Sequence, residues 1–159
     1  MPDYDFKSLS PTEFEHLVRD LLQAEWGVTL ETFMEGRDGG VDNRAFTADG
    51  GTTVVQAKHY ARSGYSKLLA ALRKEVDKVE RLAPDRYVVV TSVELSPSRK
   101  SAVAALFGPT RDGDVYGRDD LNNLLGLHPE VEKRHLALWT PSTAVLEEVL
   151  DASVRPARE

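Results

Sequence analysis

Residues 35–60 read EGRDGGVDNRAFTADGGTTVVQAKHY, and the folding of this stretch decides how the rest of the chain is arranged. Asp49-Gly50-Gly51 lies between runs of apolar and β-branched residues, the composition of a β-hairpin. With Gly50 at the turn centre, Asp42 falls opposite Lys58 and Arg44 opposite Gln56. Side chains alternate along a strand, so Val54, Gln56 and Lys58 share one face of the second strand. An acid, an amide and an amine are thereby gathered at one end of a hairpin. Read singly, Asp42 is a strand-end acid, and Gln56 and Lys58 are the solvent face of an edge strand.

The 159 residues predict a single core of ordinary size, with 41% apolar and 29% charged residues. No apolar run approaches the roughly 20 residues that span a bilayer. The acidic start, Met1-Pro2-Asp3-Tyr4-Asp5, lacks the basic and apolar regions of a signal peptide. These features predict a cytoplasmic protein without a membrane partner. With no cysteine there is neither a disulfide nor a thiolate metal site, which leaves oxygen and imidazole as metal donors. The net charge of −6 argues against a protein that coats nucleic acid with its whole surface. Charge is uneven, however. Residues 56–81 carry seven Lys or Arg against three acids, a +4 segment in a remainder of −10. Such a strip suits phosphate, or it is a solvated helix face of mixed charge.

On either side of the hairpin the pattern alternates between helix and strand. Ser10-Pro11-Thr12-Glu13 predicts a capped helix start, and Phe14, Leu17, Val18, Leu21 and Leu22 give its apolar stripe before Gly27 ends it. Val28 to Phe33 alternates as a strand, with Val28, Leu30 and Thr32 on one face. After Ser63-Gly64 a second helix is expected from Ser66 to Leu82, with Leu68, Leu69, Leu72, Val76 and Val79 buried. Arg86 to Ser92, apolar on both faces, reads as a strand in the middle of a sheet covered on both sides. A helix from Ser96-Pro97 to Leu106, a short strand at Asp114-Val115-Tyr116, a helix from Arg118 to Leu125 and two more helical segments from Pro129 to Leu150 complete the chain. The expectation is an α/β fold in the order α-β-β-β-α-β, with a mixed sheet between helices and a C-terminal helical extension.

Asp42, Gln56 and Lys58 suggest phosphodiester chemistry. Oxygen ligands suit Mg²⁺, and a neighbouring lysine can orient a water or offset charge growing on a phosphoryl group. The segments GRDGGVD and VVQAKHY, after a helix reading PTEFEHLVRDLL, resemble the PD-(D/E)XK nucleases in the D…QxK form of the Mrr-like restriction endonucleases. That resemblance covers about residues 9–92 and implies a restriction-endonuclease-like core at 1–127 and a helical extension at 128–159. It implies that Asp42 is the principal metal-binding carboxylate. Gln56 stands where the family more often has Glu or Asp, and would coordinate weakly or hold a metal-bound water. Lys58 would orient or activate the attacking water, and Glu15 would be an additional metal-site acid. The implied cofactor is Mg²⁺, with Mn²⁺ as a substitute, and the implied partner is double-stranded DNA.

A second resemblance spans nearly the whole chain. SGYSKLL, DVYGRDDLNNLLGLHPEVEKRHLALW and STAVLEEVL look like the nuclease module that precedes the NTPase of bacterial STAND-type antiviral proteins. It implies an effector domain activated by homo-oligomerisation, as a dimer or tetramer, through a longer chain. The alternative is a catalytically inert nuclease-like module for DNA binding or oligomerisation. Arg37, His59, Tyr60, Arg62 and Lys67 are candidate contacts to the DNA backbone. His16, His128 and His135 show no metal-ligand spacing, Ser66 and Ser92 have no adjacent His/Asp arrangement, and Trp26 and Trp139 read as packing residues.

Overall fold

Each turn of the first helix follows from local chemistry. In the computed structural model, which describes residues 3–32, 43–46 and 51–139, α1 runs Pro11–Trp26. The Ser10 hydroxyl accepts from the Glu13 amide at 3.1 Å, and the Glu13 carboxylate accepts from the Ser10 amide at 2.8 Å. This reciprocal cap satisfies two amides that would otherwise lack partners and contributes about 1 kcal/mol. Gly27 closes the helix in the left-handed conformation, φ 66°, where a side chain would be strained.

Five strands follow in spatial order β1-β2-β3-β4-β5: Glu31–Thr32, Asn43–Phe46, Thr52–Lys58, Arg86–Thr91 and Val115–Tyr116. The first three pair antiparallel, and β3, β4 and β5 are parallel. Between β3 and β4 lie α2 (Tyr65–Arg73) and α3 (Val76–Leu82), and α4 (Pro97–Ala104) precedes β5. The chain continues through α5 (Arg118–Leu127) and α6 (Pro129–Arg134). The sheet separates two apolar layers. Val55, Ala57, Val88 and Val90 pack with α1, α5 and α6 on one face. Val54, Tyr87, Val89 and Val115 pack with α2, α3 and α4 on the other. The apolar β4 is an interior strand between β3 and β5 with both faces covered, as expected of a strand apolar on both sides.

Four local expectations are corrected. The hairpin pairs Arg44 with Val54 and Phe46 with Thr52, two residues away from the expected register. Thr52 is held at the start of β3 by Asp85, whose carboxylate accepts from its amide at 2.7 Å and whose own amide donates to its carbonyl at 2.9 Å. A shift of two keeps each side chain on its face, so the common face of Gln56 and Lys58 survives. The strand expected from Val28 is only Glu31–Thr32 within the described residues. Val28 is exposed, and the Leu30 amide is held by the Gln23 side chain at 2.9 Å. The long second helix is two helices, broken at Lys74 and Glu75. Finally, α5 passes through Gly126 and stops at His128, because the following Pro129 disfavours helical backbone at that residue.

Candidate functional site

Gln56 and Lys58 lie on the last turn of pleat of β3, on the face covered by α2 and α3. In parallel register they stand beside Val89 and Thr91 of β4. Gln56 is buried, with 3% of its surface exposed, and its Oε1 lies 3.5 Å from the Tyr87 hydroxyl. The edge-strand reading of these residues is therefore excluded: β3 has neighbours on both sides. Burying an amide among Val54, Tyr87 and Val89 is unfavourable unless its polar atoms are partnered.

Lys58 points inward as well. Its Nζ meets Glu75 Oε1 at 3.2 Å, with side-chain exposures of 17% and 13%. Glu75 stands at the break between α2 and α3, in the N-cap position of α3, but its carboxylate makes no cap to that helix. It reaches the end of β3 instead. This residue was missed as a site candidate, though the sequence carried a signal for it. Glu75 is three residues after Leu72 and four before Val79, so it falls in the buried stripe of an otherwise apolar pattern.

Glu15 is half-buried on α1, beside Phe14, and is engaged in an interaction of its own. Helix α1 packs on the sheet face opposite to the one that carries Gln56 and Lys58. Asp42 and Arg37 lie outside the described residues. Among the described residues no three His, Asp or Glu side chains converge as a metal-binding group.

The candidate DNA contacts separate into two kinds. Arg62 and Lys67 are exposed, and Arg62 donates to the Lys7 carbonyl at 3.2 Å. With Arg73, Lys74 and Arg81 they form the solvated face of the basic strip. Tyr60 is half-buried against the α2–α3 layer. His59 points away from Lys58, to the α1 side, where its ring stacks on Phe14 at 4.8 Å. Its Nε2 donates to the Leu9 carbonyl at 2.8 Å, which leaves Nδ1 to accept from the Ser92 hydroxyl at 2.7 Å in the neutral ring. The fold thus makes a Ser–His contact that the sequence did not reveal. Ser92 is buried at 2% exposure and the second ring nitrogen is held by a carbonyl, so the pair ties β3, β4 and the N-terminal segment together. His135 and His128 are likewise structural, pairing with Asp20 at 2.8 Å and Glu25 at 3.5 Å on α1. Trp26 packs under the Arg86 guanidinium at 4.7 Å, whereas Trp139 is 48% exposed.

A family model described as restriction endonuclease, the Mrr catalytic domain, matches residues 6–108, from before α1 through α4. The uncharacterized protein y4cD of Sinorhizobium fredii (strain NBRC 101917 / NGR234) is 49% identical over 156 residues, 97% of this chain. The chain spans only 24% of that relative's length. No solved structure matches.

Proposed function

This chain belongs to the Mrr-type restriction endonuclease family, a family of nucleases, and on that premise we propose that it hydrolyses DNA phosphodiester bonds with a divalent metal. The observation that carries the reading is the buried Gln56 and the inward Lys58 on the end of a central parallel strand. Apolar residues would fill that place more stably. A buried ion pair beside a buried amide is a costly way to build a core, so a chemical use is the better account of it.

The donor set fits a hard divalent cation. Asp42 would offer a carboxylate and Gln56 an amide carbonyl, oxygen donors of the kind Mg²⁺ and Mn²⁺ accept, whereas Glu15, carried by α1 on the opposite face of the sheet, is not grouped with Gln56. When bound there, the ion would supply Lewis-acid stabilisation of phosphoryl charge. The chain's own residues do the rest. Lys58 brings a cation to the end of β3, where it orients the attacking water and offsets charge on the phosphate. Gln56, fixed by burial, holds its amide in one orientation. Arg62 and Lys67 meet the DNA backbone from the exposed side of the strip, positioning the duplex without reading its sequence.

The test is plasmid cleavage with Mg²⁺, alongside EDTA and Lys58→Ala. Loss of cutting in both controls is expected, by at least about 100-fold for the alanine variant. Cutting that persists in Lys58→Ala would remove the assigned site. An inert module is the competing reading, and an unchanged response to Mg²⁺ in Asp42→Ala would favour it. RNA offered in parallel decides the nucleic-acid preference.

We further propose that the domain is the effector of a STAND-type antiviral NTPase in the bacterial cytoplasm. Its support is the resemblance of residues 114–139 and 142–150 to such modules and the much longer relative. The nuclease core would then be residues 1–127, with 128–159 leading toward the NTPase. Assembly as a dimer or tetramer would activate it, so fusion to a tetramerising coiled coil should raise cleavage by a silent domain.

A further inference from the structure

We propose that Glu75 is a positioning residue for the reaction, holding the Lys58 ammonium at the end of β3. The inference rests on the nuclease reading above but names a residue that no motif assigns. Three features of the structure carry it. The 3.2 Å contact joins the last residue of β3 to the junction of α2 and α3, two parts of the chain 17 positions apart. Both side chains are more than four-fifths buried, so the pair is screened by water and salt far less than a surface pair would be. The helix break completes the argument. The Glu75 amide bonds the Leu72 carbonyl at 3.0 Å and its carbonyl accepts from Val79 at 2.9 Å, so the backbone turns tightly there without glycine or proline.

Glu is not among the side chains that favour an N-cap, and with Glu75 in right-handed helical backbone (φ −87°, ψ −12°) its carboxylate makes no bond to the start of α3. The carboxylate meets Lys58 instead. A lysine has four rotatable side-chain bonds, and left alone its amine would sample a wide arc. Tethered, it stays near Gln56, on the same face two residues earlier. Glu75 also places a carboxylate close to a motif whose usual second carboxylate is here an amide. The purely structural alternative is an ion pair that only locks α2–α3 to the sheet.

Kinetics and a spectroscopic signal together separate the two. Glu75→Gln keeps shape and removes charge, and Glu75→Asp keeps charge and shortens reach. For a positioning role kcat falls about tenfold or more in Glu75→Gln with KM within about twofold, and Glu75→Asp recovers part of the loss. Thermal unfolding of each variant identifies a loss caused by misfolding. Independently of activity, the ¹H–¹⁵N signal of the Lys58 ammonium should be visible in the parent chain and broadened away in Glu75→Gln. An unchanged ammonium signal would falsify the proposal, as would a kcat within twofold of the parent. If the parent chain itself cuts nothing, even when tetramerised, the nuclease reading fails while the ammonium signal still decides whether Glu75 holds Lys58.

Discussion

At the scale of single residues, Lys58, the last residue of β3, and His59, the residue after it, have opposite assignments. Lys58 faces α2 and α3 and meets Glu75; His59 faces α1 and meets Phe14, Ser92 and Leu9. Alternation along the strand makes the division, so one candidate enters the site and the next enters the scaffold. His59→Phe keeps the stack on Phe14 but strips Ser92 and the Leu9 carbonyl of their partner. It should cost about 1–3 kcal/mol of stability in urea denaturation. Affinity for DNA should be unchanged at equal folded fraction. Lys58→Ala has a different liability, because it leaves the Glu75 carboxylate buried and unpaired. Removing one partner of a buried ion pair costs about 3–5 kcal/mol, so its loss of cleavage is to be read only at temperatures where melting shows it folded.

At the scale of elements, the ends of helices carry the informative strain. Helix α3 closes on Ala83 in the left-handed conformation, φ 46°, where α1 uses Gly27 for the same purpose. A β-carbon there costs about 1–2 kcal/mol. Ala83→Gly relieves that strain and returns about 0.4–1 kcal/mol to the flexibility of the unfolded chain. The net expectation is a gain of about 0.5–1 kcal/mol, read as a rise in Tm of about 1–4 °C. No change in Tm would mean that the turn is already accommodated. The break at Glu75 explains why one helix was expected where two exist. Neither Gly nor Pro marks it, and the apolar stripe runs straight through from Leu68 to Val79. The break shows in the backbone, where the Glu75 amide bonds the Leu72 carbonyl three residues back.

Across the whole molecule, the N-terminal segment is bound to α5 and α6. Tyr4 exchanges backbone hydrogen bonds with the Asn122 side chain at 2.8 and 3.0 Å, and its hydroxyl donates to Glu132 at 2.7 Å. Val131 and Leu138 are buried in the same layer as α1. Burial first, and then the hydrogen bond and charge of Glu132, push the Tyr4 phenol from its ordinary 10.0 up to about 12. The unfolded chain therefore releases this proton first. The stabilisation is whole below about pH 10 and is lost as pH rises through about 12. Urea midpoints measured between about pH 9 and 12 should fall more steeply for the parent than for Tyr4→Phe, and parallel curves would contradict the assignment.

What the sequence determined by itself was whatever depends on near neighbours along the chain. The Ser10–Glu13 cap, the Gly27 stop, the two-faced apolar strand at 86–91 and the shared face of Gln56 and Lys58 are all local, because caps and periodicity act over a few residues. The resemblance to Mrr-like restriction endonucleases was likewise read from the sequence, and the match over residues 6–108 bears out the family. Tertiary structure alone decided the rest. The start of β3 is tied to the turn before β4 by Asp85 clamping Thr52, the His59–Ser92 contact depends on strands β3 and β4 ending side by side, and the Lys58–Glu75 pair joins the end of β3 to the break between α2 and α3. Each joins residues 17 or more positions apart. Such partners are selected by distance in the packed fold, which no local pattern encodes.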